Sequence, residues 1–251
     1  VPPRIDFAVV ATNADVRAQV VKKIKNNREV RYWLLEKIIA QSENNLDEIS
    51  SLIDNSEGAW VNIPRRMMSW QKKIQQHLQN DFPLSARTSG QSWGMACNGI
   101  HLLDLVAWWT GETLKSLNNS ELDSQWIEGK RKGFYEITGK IEAVYSEGST
   151  FSLESSLDKT PYSFEVDTYE KNWIIDEQRG VFYSTDGVLI TGQNDMQSTI
   201  TSQLVEALLE SGQCDLTNLS ESVEMHRVLL RSLLEHWNHV YGTNVDILPI
   251  T

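Results

Sequence analysis

The sequence predicts an α/β chain in two halves: a partial parallel sheet flanked by helices over residues 1–82, then an α+β half built on a largely antiparallel sheet over residues 83–251. Three observations carry this. Short β-branched apolar runs alternate with amphipathic stretches as far as Leu78. After Pro83, short strand-like runs follow one another with turn pairs such as Glu147-Gly148 and Asp186-Gly187. Two helical periods then close the chain. Strand–helix alternation builds right-handed parallel units, whereas short links between strands favour antiparallel hairpins.

In the first half, Ile5 to Thr12 is an apolar run suited to a strand covered on both faces. The following helix is expected to turn Val16, Val20, Val21 and Ile24 inward, with Lys22, Lys23 and Lys25 at the negative end of its dipole. Glu29 to Leu35 reads as a second strand, Asn44 to Asn55 as a helix burying Leu46, Ile49, Leu52 and Ile53, Ala59 to Ile63 as a third strand and Met67 to Leu78 as a third helix. In the second half, Asp81 to Gly90 reads as a polar, turn-prone stretch. A helix from Cys97 to Thr110 ends at Gly111, a residue type that tolerates the left-handed conformation closing many helices. Strands are expected at Phe134 to Tyr145, Thr150 to Ser156, Ser163 to Thr168, Asn172 to Asp176, Gly180 to Ser184 and Val188 to Ile190. The closing helices run from Met196 to Leu209 and from Ser220 to Val240.

Composition narrows the function. The 34 acidic against 23 basic residues give a formal charge of −11, the opposite of the basic footprint that a phosphate-tracking nucleic-acid binder needs. No apolar run approaches the ~18 residues needed to span a bilayer, and no basic-then-apolar leader opens the chain, so neither nucleic acid nor membrane is expected as a partner and the location expected is cytoplasmic. Cys97 and Cys214 are too few for a disulfide framework or a thiolate metal cage.

In parallel α/β sheets ligands gather at the carboxyl ends of the strands, which here are Thr12-Asn13, Glu36-Lys37 and Asn62 to Arg66. Lys37 there can act as an acid or orient a hydroxyl; an exposed lysine paired with Glu36 is the alternative. Cys97, His101 and Asp104 fall on one side of a helix at spacings of four and three. His101 is a proton carrier by type, Asp104 could fix its tautomer or form a salt bridge, and a structural histidine is the competing reading. Arg65-Arg66 could clamp an anion or form a solvated corner. Cys97 near a helix start could be a nucleophile or a small buried thiol. His77 and His226 lack partners at ligand spacing, and His236 with His239 forms only a weak metal pattern, so no metal site is expected.

Taken in order, these pieces resemble the Gfo/Idh/MocA family, the glucose–fructose oxidoreductase and inositol dehydrogenase relatives. The run Asp6-Phe7-Ala8-Val9-Val10-Ala11-Thr12, a helix and then Leu35-Glu36-Lys37 are similar to the second part of its nucleotide domain, where a strand ends in Glu-Lys-Pro. Val61-Asn62-Ile63-Pro64-Arg65-Arg66 is similar to the next strand and its Arg-containing turn, Gly99-Ile100-His101-Leu102-Leu103-Asp104 to a Gly-x-His-x-x-Asp helix, and Leu219 to His226 to the closing helix. The resemblance implies a partial Rossmann-like domain followed by a substrate and oligomerisation domain, NAD or NADP as cofactor, a sugar, cyclitol or nucleotide-sugar as substrate, and a homo-oligomer. It implies Lys37 and His101 as catalytic residues, Thr12, Asn13 and Glu36 at the cofactor, and Arg65, Cys97, Asn98 and Asp104 on the substrate side. The chain departs from the family at Cys97, where an aspartate is usual, and at Ile38, where a proline is usual, which predicts a less fixed turn. No Gly-x-Gly-x-x-Gly turn occurs. A second reading is an inactive relative serving as a binding or assembly subunit, with several of the nine tryptophans anchoring a dimer through the antiparallel sheet.

Overall fold

A computed structural model describes residues 3–79, 81–192 and 197–251. Strand β1 (Arg4–Val10), helix α1 (Ala14–Lys25), β2 (Glu29–Leu35), α2 (Glu43–Ile53) and β3 (Gly58–Val61) form a three-stranded parallel sheet in the order β1-β2-β3. A short 3-10 turn, Pro64–Met67, leads into α3 (Ser69–Leu78). Next come β4 (Ser85–Gln91), α4 (Met95–Thr110), β5 (Leu114–Leu122), the two-stranded hairpin β6 (Ile127–Glu128) and β7 (Tyr135–Glu136), then β8 (Gly139–Tyr145), β9 (Thr150–Ser156), β10 (Ser163–Asp167), β11 (Asn172–Asp176), β12 (Val181–Ser184) and β13 (Leu189–Thr191). Apart from the hairpin, these strands make one eight-stranded sheet, ordered β13-β12-β11-β10-β4-β9-β8-β5. Its pairs are antiparallel except β4 with β9. Helices α5 (Gln197–Ser211) and α6 (Leu219–Tyr241) finish the fold, whose class is the α/β one expected. Met196, the expected start of α5, lies outside the described residues.

Register in the parallel sheet follows the apolar runs. Val10 stands opposite Leu35, and Leu35 opposite Val61, so the carboxyl ends of all three strands finish level. Helices α1 and α2 cover one face, α2 beginning at Ser42, whose hydroxyl accepts from the Asn45 N–H at 3.2 Å. On the other face Tyr32, Leu34 and Trp60 pack with Leu204, Leu208 and Leu216. The main buried cluster runs from Ala8 and Trp33 through Trp70 to Ile100, Phe151 and Leu233, so residues on both sides of position 82 share one core.

Several elements differ from expectation. Helix α1 packs Val20, Val21 and Ile24 against the core as expected, but Val16 is exposed and the buried face extends to Ala14, Arg17 and Ala18. Arg17 widens the face, because its guanidinium serves backbone carbonyls and can therefore be buried. Residues 85–91 form an interior strand rather than a turn. Ala86, Thr88 and Gly90 alternate inward, but only alanine is apolar with a side chain, so no period-two signal arises. The Thr88 hydroxyl, facing the core, donates to the Ser163 carbonyl at 2.8 Å. Strand β5 also escaped the pattern, as an edge strand of Leu-Lys-Ser-Leu-Asn-Asn-Ser-Glu-Leu with register shifts against β8. The single strand expected from Phe134 to Tyr145 is split into β7 and β8. Of the nine tryptophans, six are buried and Trp93, Trp108 and Trp237 are partly buried.

The split before β8 depends on Gly139, at φ +101°, where an added Cβ would meet the Glu121 carbonyl oxygen at 2.5 Å and the Asp123 nitrogen at 2.6 Å. Both contacts are backbone and cannot swing away. Gly139→Ala is expected to lose about 2 kcal/mol or more from backbone strain alone. A lowered urea midpoint at unchanged slope is the expected signature, and an unmoved midpoint would refute it.

Candidate functional site

Because β1 and β2 finish level, Thr12-Asn13 and Glu36-Lys37 emerge side by side, with the Glu36 N–H donating to the Val10 carbonyl at 3.2 Å. Arg17 fastens this rim: it donates to the carbonyls of Thr12, Ile38 and Ile39. Burial lowers its pKa to about 10, with Glu36 and Asp15 opposing the fall. The turn after Lys37, expected to be loose without proline, is therefore held by a buried guanidinium, and Ile38 and Ile39 are fully buried. The Lys37–Ile38 peptide is cis. From β3, the Asn62 amide donates to Glu36 Oε1 at 2.6 Å, which aims that carboxylate.

Lys37 Nζ reaches α4. It donates to the Cys97 carbonyl at 3.2 Å, to Cys97 Sγ at 3.0 Å and to Asn98 Oδ1 at 3.0 Å. Asn98 is oriented at its other end by Nδ2 donating to the Trp93 carbonyl at 2.9 Å. The Cys97 thiol donates to the Thr251 carbonyl. These groups border a cavity of about 770 Å³, within the range of small-molecule sites. Its lining includes Thr12, Asn13, Glu36, Lys37, Cys97 and Asn98, so six of the nine residues expected at the site come together.

His101, Arg65 and Asp104 do not line that cavity. His101 lies one turn beyond Cys97, partly exposed, with Nδ1 buried and unpartnered. Burial, followed by the charges of Arg65 and Lys37, holds its pKa well below the ordinary histidine value, so the ring is neutral. Arg65 forms a two-pronged pair with Glu177 at 2.9 and 3.1 Å. Asp104 is fully buried with both oxygens on Arg66, at 2.8 and 2.7 Å. Its carboxylate is thus committed to an ion pair and fixes no tautomer of His101. His226 is also buried, its Nδ1 within 2.7 Å of the Ser222 carbonyl, and burial lowers its pKa to about 4.

Two parts of the cavity wall carried no signal in the sequence. The tail forms one: the Leu248 N–H donates to the Gln41 carbonyl at 2.9 Å, Gln41 Nε2 to the Ile250 carbonyl at 2.8 Å, and Thr251 lines the cavity. The β6–β7 hairpin forms the other, bringing Glu128, Lys130, Arg131 and Glu136. In the sequence Glu136 sits in an alternating strand pattern and reads as solvent-facing. In the fold its Oε2 accepts from the Ala96 N–H at 2.9 Å, at the start of α4. Among the described residues no cluster of three or more histidine, cysteine or acidic side chains could hold a metal ion, and no helix is long and apolar enough to cross a membrane.

No family model matches the chain, and no curated protein does. Solved structures do share its fold. An oxidoreductase from Agrobacterium radiobacter, crystallised with NAD+, L-tartaric acid and magnesium, superposes with a TM-score of 0.72 at 16% identity over 96% of this chain and 80% of that one. A UDP-N-acetylglucosamine 3-dehydrogenase from Acidithiobacillus ferrooxidans gives 0.68 at 11% identity over 92% and 77% of the two chains. A dehydrogenase from Clostridium difficile gives 0.65 at 12% identity over 93% and 79%. At such identities the likeness is one of fold: this chain has the fold of these oxidoreductases.

Proposed function

We propose that the chain is an NAD(P)-dependent oxidoreductase of the Gfo/Idh/MocA type, acting on a hydroxyl group of a sugar, cyclitol or nucleotide-sugar. One observation carries the reading: the Lys37 ammonium, at the carboxyl end of β2, enters the same cavity as Thr12 and Asn13 at the end of β1. The fold likeness to oxidoreductases supports it, as an analogy that the site itself must justify.

The rim residues fit the nicotinamide end of such a cofactor. Thr12 Oγ1 is buried without a hydrogen-bond partner. Asn13 stands at the N-cap of α1 while its side chain makes no capping bond. Both are groups a ribose hydroxyl would satisfy, with Glu36 beside them. Held by Thr12, Asn13 and Glu36, the cofactor would supply the hydride-accepting chemistry. The protein's own part is positioning and proton handling. Lys37 trades one of its three protein acceptors for the substrate oxygen and stabilises the alkoxide as it develops. His101, neutral at pH 7, is the proton acceptor that the resemblance implies, but it lies one turn along α4 outside the cavity lining and so does not take the proton from the hydroxyl directly. Cys97 and Asn98 present the substrate-side wall, while Arg65 lies outside the cavity lining in its pair with Glu177.

Titration of the full-length protein with NADH and NADPH tests the reading. Because Trp93 lines the cavity, at least one of the two is expected to change indole fluorescence saturably. Calorimetry with the oxidised form should return a matching single site. Binding of neither would overturn the proposal.

A further inference from the structure

The site has an acid–base group beyond Lys37 and His101. Position 97, at the N-terminal end of α4 and one turn before His101, carries a thiol, and that thiol is already engaged with Lys37 and the Thr251 carbonyl. A carboxyl group nevertheless enters the same place from another element. Glu136, on β7, lines the cavity together with Lys37, Cys97 and Asn98. The backbone makes room for it: Gly94, the N-cap of α4, has φ +78°, and an added Cβ there would stand 3.3 Å from Glu136 Oε1 and 2.9 Å from Asn98 Nδ2.

We propose that Glu136 is the proton-exchanging carboxyl group of this cavity, facing Lys37 and supplying from the hairpin what position 97 does not. The inference rests on the oxidoreductase reading only for the identity of the substrate hydroxyl it would bind. As a carboxylate it accepts a hydrogen bond and then the proton from that hydroxyl; once protonated its carbonyl oxygen still accepts a hydrogen bond, but it can no longer take the proton.

A plain helix cap is the competing explanation, and the electrostatics separate the two. A carboxylate at a helix N-terminus is ordinarily stabilised in its charged form. Glu136 is displaced the other way, up to about 7, because burial outweighs the Ala96 and Cys97 N–H groups and the charge of Lys37. The remaining charged groups on the cavity wall are Glu36 beside Lys37, Arg17 on α1, and Glu128, Lys130 and Arg131 on the hairpin, with the Cys97 thiol on α4. His101 titrates well below its usual range, so a change of protonation near neutrality belongs to the glutamate.

The test uses the full chain with carboxyl-labelled glutamate, followed by carbon NMR across pH. One resonance, absent from Glu136→Gln, should titrate near 7. In Lys37→Met its midpoint should move further up, because the ammonium that favours the carboxylate is gone. Glu136→Gln retains an oxygen for the Ala96 N–H and should melt close to the parent. In turnover, kcat/KM of the parent should fall about tenfold per pH unit below the midpoint, and Glu136→Gln should lose that limb. A midpoint near the ordinary 4.5, or one indifferent to Lys37→Met, overturns the assignment, as does a limb that survives in Glu136→Gln. A raised, Lys37-sensitive midpoint with no hydride transfer to either cofactor upholds the carboxyl group and sinks the oxidoreductase reading instead.

Discussion

Lys37→Met is expected to lower turnover by about 10³-fold, the upper range for removing one preorganised donor to a developing oxyanion, while leaving the fold intact. The side chain is half-buried, and its three acceptors, the Cys97 carbonyl, Cys97 Sγ and Asn98 Oδ1, all lie on α4. None of them is an anion that removal of the ammonium would strand. The nearby carboxyl of Glu136 already lies near neutrality through burial, so it can take up a proton when the positive charge is deleted. Thermal melting should therefore move little, and the loss should appear in kcat rather than in cofactor affinity. Lys37→Arg should not restore activity, since a planar guanidinium cannot point a single compact donor at one oxygen. Initial rates of reduced-cofactor formation measure the effect. A variant within about threefold of the parent would remove Lys37 from the chemistry.

How much of this site the sequence disclosed depended on which residues marked it. Strand β2 was legible to its last residue because Tyr32, Trp33, Leu34 and Leu35 follow Val30 as a run of large, mostly apolar side chains suited to a doubly covered strand. The position of Lys37 just beyond that run followed directly. The β4 strand was hidden because its inward residues are Ala86, Thr88 and Gly90, so small that the interior of the sheet looks like a turn. On α1 the inward place of Arg17 carried no signal, because a buried arginine is a rare occupant of a core, and only the carbonyls it serves, far along the chain at Ile38 and Ile39, reveal why it is there. Glu136 and the tail were beyond reach for a related reason. Their roles arise from contacts across 40 and more than 150 residues of chain, and no periodic pattern encodes such a meeting. The residue series Cys97, His101, Asp104 shows the opposite error. Helical spacing placed the three on one side correctly, but it could not say that Asp104 points to Arg66 and that Cys97 points to Lys37.

That ion pair is where the largest stability effect is expected. Asp104 has no exposed surface, and the Arg66 side chain is 11% exposed. Both carboxylate oxygens are occupied by the one guanidinium, which rides on the 3-10 turn after β3 and so ties the parallel sheet to α4. Truncation by Arg66→Ala strands the carboxylate in the core, and breaking a buried pair in this way costs about 3–5 kcal/mol. For a chain of this size that corresponds to a melting temperature lower by roughly 10 °C. Asp104→Asn should be costly too, because the largely buried guanidinium keeps only the longer, solvent-exposed contact with Glu221 at 3.7 Å, but its effect should fall on stability and leave KM for the substrate nearly unchanged. Replacing both partners with apolar residues, as in Arg66→Met with Asp104→Leu, should recover much of the loss, since neither charge is then left unpaired. The coupling between the two sites, read from a double-mutant cycle by thermal or urea unfolding, would therefore be strongly favourable to the double variant. If Arg66→Ala melts with the parent while Asp104→Asn raises KM instead, Asp104 is a substrate ligand after all, and the pairing with Arg66 is incidental to stability.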